Sequence, residues 1–547
     1  MEQPSSSTLL AQEQTKHLQK SLGRMDILLL VVAAVVSIEV LGQVSGFGGE
    51  TFTWTLVLAV TFMIPYGLIF AETGGTFTEE GGVYVWTKMA FGRVVAAIAA
   101  LFTWVTQPVW VGGAMAFVAV ETWSEYVSPI NAGGTGDYLF KIAFIWITVS
   151  SAIISLKHGK WLPSLGAILK IVFLAFFLVV TAIYGFTNGF NGLNLAFFSP
   201  TMAGFLGVTP LLLFSFLGFE SGNSAAGEMK NPAKDVPISI ARTSVLAAAS
   251  YLLPILAILL VVPLDEITGI GGLFGAVATV YGIFGSAAEM MLAISAVVFC
   301  FVLVSQGAAW MIISDRMQAM AAADGSFFGG FFGRFHPKLG TPIRINTLSG
   351  VVATIFMLAA MQMTGSNSAL FGVVLTISIS TFLLSYLIAI PAVVRLRTKY
   401  PSVERPFKVP VSDTGFKILG GICFAWIAIG SWVAVFPGTL ENLFGIEYDF
   451  EGVWGLSQTA FATFALGTLG SILVLGIVGY IFGKKVRDQK HEDPTATELP
   501  ALDVGAMNGL HAAASATALH GILAEDIEPA TNGASTPTAE RVAEKQL

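Results

Sequence analysis

Long apolar runs divide this chain, and its positive charge falls almost wholly on every second connection between them. Of the 28 Lys and Arg, all but two lie in alternate connecting segments or in the two tails. The series begins with Lys16, Lys20 and Arg24, then Lys88 and Arg93, then Lys157 and Lys160. It continues through Lys230, Lys234 and Arg242, Arg316 to Arg344, Arg395 to Lys417, and Lys484 onward. The connections in between carry Glu50, Glu121, Glu125, Asp137, Asp265, Glu266, Glu441, Glu447, Asp449 and Glu451. Basic residues stay on the cytoplasmic side of a membrane as spans insert. The pattern therefore predicts an all-α, polytopic cell-membrane protein with both termini in the cytoplasm. The two exceptions are Lys141, at an outer helix end, and Lys170, inside an apolar run.

Composition agrees: 54% of residues are hydrophobic and 12% charged, which fits a lipid solvent better than water. The net charge of −7 sums a basic inner face, an acidic outer face and a polar tail, so it implies no nucleic-acid partner. Cys300 and Cys423 both fall in apolar segments with no metal-ligand spacing, and neither metal nor cofactor is expected. The polar first 24 residues lead into a long span without a small-residue cleavage pattern, so that span is read as its own targeting signal.

A crossing needs about 20 apolar residues, and twelve candidates appear. They are 25–47, 52–72, 94–120, 138–156, 161–187, 203–226, 240–262, 287–314, 345–364, 369–394, 416–437 and 456–483. A thirteenth stretch, Gly272 to Gly285, is short and glycine-interrupted. Counting it would invert the charge pattern of every later loop, so it is expected as an outer-face helix or re-entrant piece. The predicted organisation is a cytoplasmic tail (1–24), spans 1–5 (25–187), spans 6–10 (188–396), a loop with spans 11–12 (397–484) and a disordered cytoplasmic tail (485–547).

Spans 1 and 6 contain helix breakers at membrane depth: Ser37 to Gly49 in the first, Phe214 to Ser224 in the second, each with glycines, small hydroxyl residues and a carboxylate. Glycine weakens a helix by roughly 1 kcal/mol against alanine. Open backbone in hydrocarbon persists only where it lines a cavity. Spans 1 and 6 are expected to be equivalent members of two five-span halves of opposite sense, the 5+5 inverted repeat of secondary transporters.

Three ionisable residues lie at this depth. Lys170 sits about nine residues into span 5, roughly 14 Å from its end. Its stem either follows a wet cavity, or its ammonium gains and loses a proton during transport or stands as a fixed charge in place of a sodium ion. Glu39 is either a structural hydrogen-bond partner or the counter-ion of a substrate amine. Glu220 either caps open NH groups at the break of span 6 or senses protons. Phe214, Trp104, Trp110 and Trp310 are aromatic residues near the breaks that can wall a pocket. All six histidines fall in loops or tails, which excludes an intramembrane histidine relay. No phosphate-binding GxxxxGK[ST] loop is present, and no paired catalytic carboxylates with His or Cys occur at span depth, so the chain reads as a transporter driven by a gradient or by exchange, not an enzyme.

The stretch FSFLGFESGNSAAGEMKNPAKDVP (Phe214 to Pro237) resembles the sixth-span signature of the amino acid/polyamine/organocation permeases. EGGVYVW (Glu80 to Trp86), SDRMQAMAAADG (Ser314 to Gly325) and ERPFKVP (Glu404 to Pro410) are further matches in the same order. The resemblance covers residues 24 to 410 and implies a 5+5 inverted-repeat fold with two extra helices. By this resemblance Lys170 in GAILKIVF stands where sodium-independent members replace a sodium site. Phe214 matches the substrate-contacting aromatic of arginine/agmatine antiporters, Glu220 their proton-sensitive glutamate and Trp310 their pocket tryptophan. Val40, Leu41 and Gly42 occupy the place of the usual GSG-like break. Ile38, Glu39 and Val40 look like the Tyr, Glu pair of glutamate/GABA antiporters and plant polyamine transporters.

The expected substrate-binding set is Glu39, Val40, Leu41, Gly42, Phe214, Ser215, Gly218 and Trp310, with Lys170 and Glu220 as proton-coupling groups. Expected partners are a small-molecule substrate (amino acid or polyamine), protons and the lipid bilayer. The leading expectation is a proton-linked or exchange-type amino-acid permease. A polyamine or amine carrier is the alternative within transport, and an amino-acid sensor with little flux is the alternative outside it.

Overall fold

The computed structural model describes residues 9–16, 23–158, 161–192, 195–262, 272–363 and 367–488. Among them the chain is helical with no strand. Eleven helices are long and apolar enough to cross a membrane. The twelfth apolar segment, span 6, is broken into Met202–Ser215 and a 3-10 stretch Ser221–Glu228. The unbroken crossings are span 2 (Gly49–Thr76), span 3 (Arg93–Tyr126), span 4 (Thr135–His158), span 5 (Trp161–Asn188) and span 7 (Pro232–Val261). They continue with span 8 (Ala288–Ala323), span 9 (Ile343–Ala360), span 10 (Asn367–Lys399), span 11 (Asp413–Val435) and span 12 (Gln458–Phe482). Spans 1–5 and 6–10 form two halves that each open with a broken helix, and an odd number of crossings sets them in opposite senses.

Local chemistry fixes the helix ends. Span 6 starts at Thr201, whose hydroxyl accepts from Gly204 N at 2.9 Å, while Glu50 accepts from both the NH (2.9 Å) and the hydroxyl (2.7 Å) of Thr201. Ser412 and Ser457 cap spans 11 and 12 in the same way. The stretch Gly272–Tyr281 is a separate short helix that a 3-10 turn joins to span 8, with Gly285 at φ 56°. Span 3 meets span 9 so closely that a Cβ at Gly112 would lie 2.1 Å from Ala353 O.

Leu9–Lys16 is a helix whose Ala11 packs with Met320 and Ala323 at the end of span 8, and Gln14 accepts from Phe335 N at 3.0 Å. Helix Lys484–Asp488, after span 12, meets the same loop: Arg487 donates to Gly325 O, and Phe328 N donates to Gly479 O at 2.7 Å. Both described chain ends therefore lie on one face. Of the tail expected to be disordered, 489–547 lies outside the described residues.

That face carries an ion-pair network built by the sequence motifs. Arg316 meets Glu80 at 3.0 Å with both side chains buried. Asp324 accepts from Lys88 (2.7 Å), Tyr84 (2.7 Å) and Arg93 (3.1 and 3.2 Å). Burial works against a charge on Asp324, but Lys88 and Arg93 outweigh it and hold its carboxyl below the usual range. Glu72 takes Arg397 at 3.0 Å, Arg405 at 3.1 Å and the NH of Val409 at 2.8 Å, which clamps ERPFKVP onto span 2. Arg24 pairs with Asp235, joining the start of span 1 to the start of span 7.

Candidate substrate and coupling site

The break in span 1 lies earlier than the glycines suggest. Helix Arg24–Val35 ends at Val36 (ψ 99°), Ser37 is non-helical, and a 3-10 turn Ile38–Val40 leads into Leu41–Ser45. Val40 closes that turn while Leu41 and Gly42 open the outer half-helix, so these three sit beyond the break and not in it. Glycine is not the cause; the carbonyls freed there are bound from elsewhere.

Lys170 binds them. It is 1% exposed, and its Nζ donates to Ala33 O (2.8 Å), to Val36 O and to Gln306 Oε1 (2.6 Å). An ammonium has three donors, and all three are used. Tyr251 of span 7 completes the break, accepting from Ser37 N at 2.8 Å and donating to Val35 O at 3.2 Å. The Lys170 amine is thus turned onto the open backbone of span 1 inside the bundle.

Gln306 of span 8 turns its other end to Glu39, with Nε2 to Oε1 at 2.6 Å. Glu39 is 2% exposed, and its Oε2 is buried without a hydrogen-bond partner. Buried polar atoms are nearly always paired, so this unpaired oxygen stands out at the break.

The break in span 6 is organised differently. Gly218 has φ 96°, which L residues rarely adopt. Its NH donates to Tyr66 Oη at 2.9 Å, and a Cβ there would lie 2.5 Å from the Trp310 ring. Glu220 accepts from Tyr66 of span 2 and, at 2.5 Å, from Tyr386 of span 10. The carboxylate thus reaches the break through the Tyr66 hydroxyl. Ser215 ends the first half-helix and turns its hydroxyl back to Leu211 O at 2.8 Å.

Phe214 and Trp310 share a wall of rings. Phe214 meets Trp110 at 4.9 Å and Phe382 at 5.6 Å, Trp310 meets Phe382 at 5.6 Å and Trp110 at 6.5 Å, and Phe382 meets Tyr386 at 5.1 Å. The indole NH groups of Trp110 and Trp310 are buried without acceptors. Trp310 lies one turn beyond Gln306 on span 8, so the unpaired indole and the Glu39 bridge lie on one helix face. Trp104 is elsewhere, donating to Asp315 and Ser349 at 2.9 Å each. Two breaks, three ionisable groups and a ring wall therefore adjoin one another, and Glu39 Oε2 and the indole NH groups of Trp110 and Trp310 are among their buried atoms without a hydrogen-bond partner.

The amino acid permease family profile matches residues 22–444. The chain belongs to that family. As a permease it is a multi-pass membrane protein and a secondary transporter. It is 30% identical over 394 residues (72% of this chain, 83% of the relative) to a probable agmatine/putrescine antiporter of Lactococcus lactis subsp. lactis (strain IL1403). It is 24% identical to the branched-chain amino acid permease of Bacillus subtilis (strain 168), covering 80% of this chain and 93% of that one. It is also 24% identical to the methylthioribose transporter of the same organism, covering 79% and 95%.

Several of this permease's site residues escaped sequence reading. Tyr66, Tyr251, Phe382 and Tyr386 look like ordinary aromatics in apolar runs, and Gln306 like an isolated polar residue. The available signal was position: Gln306 stands one helical turn before Trp310.

Proposed function

We propose that the permease exchanges small amine-bearing cations, with the substrate ammonium on Glu39 Oε2 and its aliphatic chain against Phe214, Trp110 and Trp310. The observation that carries this reading is the buried, unpaired oxygen of Glu39. Charge balance supports it. With Lys170 cationic and Glu39 and Glu220 anionic, the two breaks hold one net negative charge. One substrate cation or one proton restores neutrality, and uncompensated charge at membrane depth is costly. A site that needs one positive charge at a time is suited to exchange.

Lys170 and Glu220 are the proposed protonation sites. Ionised Glu220 only accepts, which suits two tyrosine donors. A proton on it turns one acceptor into a donor, so Tyr66 or Tyr386 must let go. Because Tyr66 also holds Gly218 NH, release there loosens the break of span 6 and gives closure a local trigger. Val40, Leu41 and Gly42 lie at the start of a half-helix, whose NH end favours a substrate's anionic part, while Ser215 lies at the end of one, whose carbonyls favour its ammonium. The basic connections and both chain ends face the cytoplasm, and the membrane is the cell membrane.

A second reading keeps the site and changes the solute. The unpaired NH groups of Trp110 and Trp310 suit a substrate acceptor, so a zwitterionic amino acid fits if one site carboxyl takes a proton with it. Uptake into liposomes by purified protein, against a panel of diamines, agmatine and amino acids with and without a proton gradient, separates the two. Diamine-for-diamine exchange lost in Glu39→Gln supports the first; gradient-driven uptake of amino acids alone replaces it with the second. Binding without flux contradicts both.

A further inference from the structure

Gln306 is fully buried, and its amide stands between two opposite charges. Oε1 accepts from Lys170 Nζ at 2.6 Å; Nε2 donates to Glu39 Oε1 at 2.6 Å and to Ser37 Oγ at 3.3 Å. The orientation of an amide is usually inferred from its network, and here only one orientation works. The flipped amide would set its NH2 against an ammonium and its oxygen against a carboxylate. The result is a polarised series, ammonium to carbonyl to amide NH to carboxylate, in which each bond strengthens the next. It links spans 5, 8 and 1 across the break.

We propose that Gln306 is a positioning residue that couples the proton on Lys170 to the occupancy of Glu39. The inference rests on the amine-exchange reading above and adds the device that makes a substrate cation and a proton compete. A substrate ammonium on Oε2 draws off the carboxylate's negative charge, so the amide is less polarised and Lys170 less well held as a cation. A proton on Lys170 has the converse effect on the substrate, as linkage requires. The titratable groups facing this bridge are Glu39 on span 1, Lys170 on span 5 and Tyr251 on span 7. Glu220 on span 6 is held separately by Tyr66 and Tyr386. The remaining neighbours of Lys170 are the Ala33 and Val36 carbonyls, which do not titrate.

The test is putrescine binding to the purified full-length protein across pH, beside proton release on binding. In wild type, binding that displaces one proton makes the dissociation constant change about tenfold per pH unit within the coupled range. Gln306→Met keeps the length and removes both hydrogen-bonding ends. It is expected to bind putrescine with a slope less than half that of wild type and with correspondingly less proton release. A purely structural role would weaken binding at every pH and leave the slope intact, and that result overturns the proposal. If Gln306→Met does not fold, Gln306→Glu serves: a titrating bridge is expected to move the midpoint of the profile by about one pH unit or more, and an unmoved midpoint overturns the role. A wild type that neither binds putrescine nor responds to pH removes the amine-exchange reading itself and the role with it. A pH-dependent wild type with an unchanged Gln306→Met removes only the role.

Discussion

Gly218 and Trp310 lie so close that a methyl group on Gly218 would sit 2.5 Å from the Trp310 ring, and the glycine already holds φ 96°. The bare α-carbon lets the indole lie across the break of span 6. Gly218→Ala is therefore expected to lose about 1–3 kcal/mol from backbone strain and overpacking. Transport should fall to background while the protein still reaches the membrane. Uptake and thermal unfolding in detergent check this, and normal flux would show that the ring moves aside.

Glu39→Gln keeps the shape of the side chain and removes the charge. Breaking a buried ion pair with a substrate ammonium costs about 2 kcal/mol or more, so amine affinity should drop roughly 30-fold or further. Radiolabelled putrescine binding at one fixed pH measures it. Affinity within threefold of wild type would place the amine elsewhere.

Tyr66 and Tyr386 make unequal contributions to holding Glu220. Tyr66→Phe loses a donor to the carboxylate and the acceptor of Gly218 NH, whereas Tyr386→Phe loses only a donor to Glu220 and a longer contact with Tyr66. Leaving a buried group unsatisfied costs about 1–3 kcal/mol, so Tyr66→Phe should unfold at the lower temperature. Equal midpoints would contradict the bond from Gly218 to Tyr66.

Asp324 predicts a pH dependence outside the membrane. Its folded carboxyl lies below the usual range because Lys88 and Arg93 outweigh burial. The sign follows: this stabilisation is fully present above the unfolded value near 3.9 and is lost as pH falls through the folded value. The stability difference between wild type and Asp324→Asn should be flat from about pH 8 to 5 and shrink below pH 4. Chemical denaturation over that range reads it, and a difference that grows on acidification would be the wrong sign.

Hydropathy and charge placement were enough to locate the crossings, because lipid punishes polarity residue by residue. The helix 272–281 and the two interrupted spans were legible for the same reason. In span 1 the helix breaks at Val36 and Ser37, at the start of the stretch read from Ser37 to Gly49 and ahead of its glycines. What opens the helix is Lys170 and Tyr251, which reach it from spans 5 and 7, and no local pattern encodes such a partner. Trp104 was grouped with the aromatics near the breaks, yet it lies six residues from Trp110 and so faces a different way on span 3. The tyrosines that hold Glu220 were silent because an apolar run hides a hydroxyl whose partner is 154 or 166 residues distant.

Span 8 runs 36 residues without interruption and carries Gln306, Trp310, Asp315 and Arg316 on a single rod about 54 Å long. Every group on it shares one angular register. A residue inserted midway would swing all that follows by roughly 100°, pulling the Asp315 and Arg316 bonds apart while leaving Gln306 in place. The glycine hinge at Gly285 lies before the rod, so length changes there need not rotate it. Homologous sequences should accordingly vary in length around that hinge and not at all between the amide and the arginine.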